Sequence, residues 1–223
     1  MQIKTTVHSL AGEPSDEAMS REETAITTPT AGPTMPRILA NFAFFQACWL
    51  VCVMGGAAGR PWLGVAMVAL VVTLHLRWAT RPLIELSLLL SVGAIGAVWD
   101  GLLAGFGWLV YPSGHIIQWV APSWIIAMWV GFAMTLNVSL RWLRGRYTAA
   151  FFLGLIGGPL AFLAGARLGG VVFPDPVIAL SALAAGWSVI TPSLVWLASR
   201  LDGYTPAPVD SVPTRRPAPA EAS

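Results

Sequence analysis

PLIELSLLLSVGAIGAVWDGLLAGFGWLV, residues 82–110, is the stretch that decides the fold. Its 29 residues contain two charges, Glu85 and Asp100, and otherwise almost nothing that prefers water. About 20 helical residues cross a hydrocarbon core of about 30 Å, so this run predicts a membrane-spanning helix with residues to spare. The excess allows either a tilted helix or a span that ends near Gly105–Gly107 and continues along the interface. Pro82 suits the first helical position, where its missing N–H would have been unpaired anyway.

Five further apolar runs surround it, at about 38–57, 61–77, 122–143, 148–172 and 176–200, and Pro61, Pro122 and Pro176 open three of them. The whole chain is 56% hydrophobic and 11% charged, with mean hydropathy +0.68, against about 25% charge in a soluble domain. Of its 24 formal charges, residues 38–200 hold only 11. The expected fold class is therefore all-α, a polytopic transmembrane helical bundle of about six spans over 38–200. Residues 1–37 and the Pro-rich 201–223 read as disordered polar tails, and Met35 offers an alternative start. A soluble enzyme, a secreted disulfide scaffold and a nucleic-acid binder are all poor fits.

Arginine and lysine placement predicts the orientation. With both termini on one side, that side receives 11 of the 13 basic residues, and only Arg60 and Arg167 fall on the other. The rule of positive loops inside then places both termini in the cytoplasm of a bacterial inner membrane. Trp62, Trp108, Trp119 and Trp124 are expected at the outer boundary, and Trp78, Trp142 and Trp196 at the inner one, where indoles prefer the headgroup zone. Trp49, Trp99, Trp129 and Trp187 are expected to lie deeper, as packing residues. The outer turns GRPWLG, APSWII and PDPVIA each precede a span, which suggests three helical hairpins.

Helices in lipid associate through small residues that let backbones approach. Gly154, Gly158, Ala161, Gly165 and Gly169 share one face of the fifth run, which reads as a contact inside the monomer or, alternatively, a homo-oligomer seam. A similar stripe on the third run places Asp100 toward other helices. Intramembrane charges are functional candidates by default. Asp100 has two open readings: an ion pair with Arg167, or acceptance from helix-end N–H groups or tryptophan indoles. Toward the cytoplasm lie Asn41, His75, Glu85, Asn137 and Ser139. His75 and Glu85 flank the short turn LRWATRP and can hydrogen-bond to one another, or can instead be satisfied separately by Arg77, Arg81 and headgroups. Arg141, Arg144 and Arg146 read as topology anchors that also attract anionic lipid. Cys48 and Cys52 read as small core residues. No P-loop, nucleophile elbow, zinc signature or nucleic-acid module is present, so no catalytic residue, metal or cofactor is implied, and the expected partners are the bilayer and a second membrane protein or copy.

The motifs NFAFFQACWLVCVMGG, RPWLG, LNVSLRWLRGR and GLIGGPLAFLAGARLGG resemble those of a bacterial multi-pass inner-membrane family known only as a domain of unknown function. The resemblance covers about 38–200 and implies a multi-pass protein, with no activity or cofactor attached. Family members often carry histidine at the position of Val138, and its absence here argues against catalysis by that segment. Relatives accompany genes resembling cyclopropane fatty-acid synthases, which implies membrane-lipid work. Three functions follow as expectations: a non-catalytic accessory protein of envelope or lipid metabolism; a small transporter or lipid-handling protein using Asp100 or the His75/Glu85 group; and a membrane-embedded enzyme. A water-filled cavity reaching Asp100 would favour the second. Convergence of His75, Glu85 and Asn137 below a lipid-sized groove would favour the third.

Overall fold

The computed structural model describes residues 33–117 and 120–205. These form six helices: α1 (Met35–Ala57), α2 (Pro61–Trp78), α3 (Pro82–Gly105), α4 (Ser123–Leu136), α5 (Tyr147–Arg167) and α6 (Pro176–Arg200). All except α4 are long and apolar enough to cross a membrane. The protein is a transmembrane helical bundle. Helix α1 starts three residues before the expected boundary, because Pro36 is tolerated in its first turn. Of the two readings of the third run, the shorter span is the one adopted. Helix α3 stops at Gly105, and Gly107 turns the chain at φ +70°, a conformation that costs glycine little. Gln118 and Trp119 lie outside the described residues.

The chain packs as three consecutive hairpins, α1–α2, α3–α4 and α5–α6. Helix α4 has 14 residues, about 21 Å of rise, and also packs against α1 and α2. It is surrounded by protein, and Trp124, Ile125, Trp129, Ala133 and Met134 on it are all buried. Trp124, expected at the outer boundary, is 1% exposed because its indole donates to the Ser113 carbonyl at 3.1 Å. Trp62, Trp78, Trp142 and Trp196 are exposed, and Trp108 is half-buried.

Small residues set the helix approaches. A Cβ on Gly96 would overlap the Trp129 ring, and one on Gly186 would overlap Trp99. On α5 the glycine stripe divides. Gly154 and Gly158 lie against Trp187 of α6, and Gly165 is buried near Val171. Ala161 and Gly169 are exposed instead: Ala161 borders a cavity, and Gly169 belongs to the turn beyond the end of α5 at Arg167. The α5–α6 hairpin packs mainly on itself and touches α3 and α4 sparingly. The Trp129–Trp187 stack, 4.6 Å between centroids, is one of its few attachments.

The Gly154 contact yields a test. Its added methyl would meet the Trp187 backbone carbonyl, which cannot rotate away. Gly154→Ala should lower stability by about 1–3 kcal/mol, read as thermal unfolding in detergent. Gly157→Ala would meet only Leu153 Cδ1 at 3.9 Å, and should be neutral or stabilising by up to about 1 kcal/mol.

Candidate functional site

At the arginine-rich end of the bundle, Glu85 on the first turn of α3 is fully buried. Its Oε1 lies 2.8 Å from His75 Nε2, near the end of α2. Its Oε2 accepts from Asn137 Nδ2 at 2.7 Å and from the Gly203 amide at 3.2 Å. Asn137 also donates to the Leu201 carbonyl at 2.9 Å and accepts from Arg144 at 2.5 Å. His75 Nδ1, on the other side of the ring, faces the Tyr204 hydroxyl at 3.1 Å, and that hydroxyl donates to the His75 carbonyl at 2.9 Å. The pair expected as one option therefore forms, and the alternative does not: Arg77 is exposed, and Arg81 donates to the Asp202 carbonyl at 2.6 Å.

The closure of this cluster comes from Leu201–Thr205, residues expected to belong to a disordered tail. They fold back because Asp202 has partners to reach. Its carboxylate accepts from Arg141 at 2.8 and 3.2 Å and from Arg144 at 2.7 Å. It also accepts from the amides of Tyr204 and Thr205 at 2.9 and 3.2 Å, which makes a tight turn. Burial alone would raise this carboxyl, but the bonds from Arg141, Arg144, Thr205 and the Tyr204 amide outweigh it and hold it well below the usual carboxylate range. Burial first, and the Glu85 charge second, raise the Tyr204 hydroxyl. Gly203 is required by close approach, since a Cβ there would press on Glu85 and on the Arg81 carbonyl. Arg141 and Arg144, expected as topology anchors that also attract anionic lipid, bond to Asp202 and Asn137, whereas Arg146 stays exposed. Asn41 forms a separate link: it donates to the Met134 carbonyl at 3.1 Å and accepts from Ser139 at 2.8 Å.

At the other end, Asp100 is fully buried and accepts from the Tyr111 hydroxyl at 2.7 Å and the Trp129 indole at 2.5 Å. Of the two readings of Asp100, acceptance from a tryptophan indole is the one adopted, and the ion pair with Arg167 does not form. Arg167 projects away from the α5 face that meets α6 and is exposed. Asp175 caps α6, accepting from Val177 and Ile178 amides at 2.9 and 3.1 Å. Cys48 and Cys52 are buried free thiols, with Gly64 of α2 close against Cys52. Among the described residues no group of three or more His, Cys, Asp or Glu is placed to hold a metal.

Between these two polar clusters lies a cavity of about 620 Å³, bounded by α1, α4, α5 and α6. Its walls include Phe45, Trp49, Phe132 and Trp187 and, among the described residues, no formally charged side chain. Phe42 and Leu160 at its rim are exposed, so it opens sideways, toward lipid. Neither Asp100 nor the His75–Glu85–Asn137 group lines it. Sequence reasoning anticipated an indole donor to Asp100 without naming Trp129, and missed Tyr111, Asp202, Tyr204 and the cavity itself. The Asp-Gly pair at 202–203 was the available signal for a turn.

Two predictions follow from these clusters. Asp202→Asn should cost about 2–3 kcal/mol at neutral pH, by leaving Arg141 and Arg144 without their anion. Because the folded-state value is depressed, the wild-type advantage should be constant above about pH 4, the ordinary carboxylate range, and shrink as the pH falls below it; unfolding midpoints of both proteins from pH 3 to 8 check this. Asp100→Leu should cost about 3 kcal/mol, since two buried donors lose their acceptor. Arg167→Gln should stay within about 0.5 kcal/mol of wild type, and an Arg167→Gln loss matching Asp100→Leu would restore the ion pair.

No curated protein and no solved structure matches the chain. One family model does, over residues 38–193. That span takes in most of the six helices and both polar clusters except the closing segment at 201–205. The chain belongs to the family described as a protein of unknown function, DUF2878.

Proposed function

We propose that the protein is a non-catalytic lipid-handling protein, an accessory to membrane-lipid or envelope metabolism, seated in the bacterial inner membrane with both termini cytoplasmic. The observation that carries this reading is the laterally open chamber of about 620 Å³. Its volume is within the range of small-ligand sites, about 300–1,000 Å³, and its uncharged aromatic walls suit an apolar chain. The arginine bias supports the orientation.

A membrane-embedded enzyme is the second reading, favoured by the convergence of His75, Glu85 and Asn137. Two observations weigh against it. None of the three lines the chamber, and Gly203 and Tyr204 close over them with Glu85 fully buried. Arg77, Arg146 and Arg200, which are exposed, remain for anionic headgroups.

The full chain purified in a mild detergent should retain about one lipid per protein in native mass spectrometry. Ala161→Trp, which fills the chamber from its wall, should abolish that retention without loss of folding. Absence of retained lipid in the wild type, or retention unchanged by Ala161→Trp, would overturn the reading. A C-terminal reporter active only outside the cytoplasm should stay silent.

A further inference from the structure

Gln46 is the twelfth of the 23 residues of α1, about 16 Å from either end of the helix at 1.5 Å per residue. That is the middle of the hydrocarbon. Its side chain is exposed there, and among the described residues it has no hydrogen-bond partner. The other two carboxamides of the described residues are satisfied, Asn41 by the Met134 carbonyl and Ser139, and Asn137 by Glu85 and Arg144. A carboxamide facing lipid finds no water to bond, and in membranes such groups hydrogen-bond across helices.

The face that carries Gln46 is shaped for a helix. At 100° per residue, Leu39, Ala43, Gln46 and Leu50 fall within about 60° of one another, and all four are exposed. Phe45 and Trp49, which wall the chamber, lie on the neighbouring face; Gln46 stands at the edge between the two. The spacing of four, three and four residues is that of a coiled-coil seam, in which a single polar residue fixes the register. The short side chain of Ala43 allows close approach beside it. The glycine stripe of α5, the face first read as a possible oligomer seam, gives Gly154 and Gly158 to α6 instead.

Depth and orientation select the occupant. Copies of one sequence insert the same way round, so the α1 helices of two copies run parallel, and each residue lies at the depth of its counterpart. A second copy thus presents a carboxamide at the level where one is needed. A carboxamide both donates and accepts, so two of them across a two-fold axis can each bond to the other. We infer that two copies of the chain associate through the outward face of α1, with their Gln46 carboxamides hydrogen-bonded to each other in the middle of the bilayer. This interface does not depend on what the chamber holds.

The test uses the full chain, carrying a donor or an acceptor dye at its C-terminus, in liposomes of phosphatidylethanolamine and phosphatidylglycerol at increasing dilution in lipid. Energy transfer should follow a monomer–dimer equilibrium. Gln46→Leu should weaken association about tenfold, the size of an interhelical hydrogen bond in a membrane. Ala43→Trp should abolish it, and Ala94→Trp, the same insertion at an exposed alanine of α3, should leave it unchanged. Oxidation with copper phenanthroline should cross-link Leu50→Cys to its counterpart but not Ala94→Cys, nor the wild type, whose two cysteines are buried. A wild type that is monomeric at every dilution would overturn the inference, since Gln46 would then be served by another protein or by a bound molecule. Association unchanged in Gln46→Leu, unchanged in Ala43→Trp, or lost equally in Ala94→Trp would overturn it too, as would a Leu50→Cys chain that does not cross-link. In monomeric detergent Gln46→Leu should unfold at or above the wild-type temperature; a clear drop would mean that the carboxamide has a partner within the monomer, which also defeats the inference.

Discussion

A carboxylate withdrawn from water at the edge of a lipid-facing bundle must be supplied with donors, and Glu85 is supplied from three directions. His75 comes from the end of α2, Asn137 from the residue after α4, and the Gly203 amide from beyond α6. One side chain therefore ties together four helices that the hairpin turns alone would leave independent. The donors are themselves fixed: Asn137 by Arg144 and the Leu201 carbonyl, and Gly203 by the Asp202 fork to Arg141 and Arg144. Removing any one of them exposes the next to the cost of an unpaired buried group.

The middle of the bundle follows a different rule. There the backbones approach through glycine, and the space beside three of these glycines is taken by an indole: Trp129 at Gly96, Trp99 at Gly186, Trp187 at Gly158. Where α5 presents Gly157 and Ala161 without an indole opposite, volume is left over. That leftover is the chamber, and the light attachment of the α5–α6 hairpin to α3 and α4 is its other side.

Helix number, hairpin order and the buried side of Asp100 were legible because they depend on hydropathy, proline and small-residue spacing, which are local along the chain. The short reach from His75 to Glu85 across LRWATRP was legible for the same reason. An indole donor to Asp100 was legible as a class, but which indole, and that Tyr111 joins it, was not, since Tyr111 lies in an irregular connection and Trp129 on another helix, and only tertiary packing brings them together. Arg167 misled because an opposite charge on a neighbouring span looks like a partner until helix rotation is known. Residues 201–205 misled because their composition resembles the Pro-rich sequence after them; what orders them is Asp202 meeting arginines 58 and 61 residues earlier in the chain.

That separation has a consequence for biosynthesis. The ribosome completes the hairpins in order, yet Glu85, His75, Asn137, Arg141 and Arg144 are all made well before Asp202 and Gly203. While α5 and α6 are being inserted, the polar end of the first four helices is open, with its carboxylate and guanidinium groups still dealing with water. Sealing is the last event, made by contacts more than 100 residues apart along the chain at Glu85–Gly203 and His75–Tyr204, and such closures are intrinsically late. A nascent chain stalled before residue 201 is thus a bundle with an unfinished end, the state in which a chaperone or protease would most readily tell it from the finished protein.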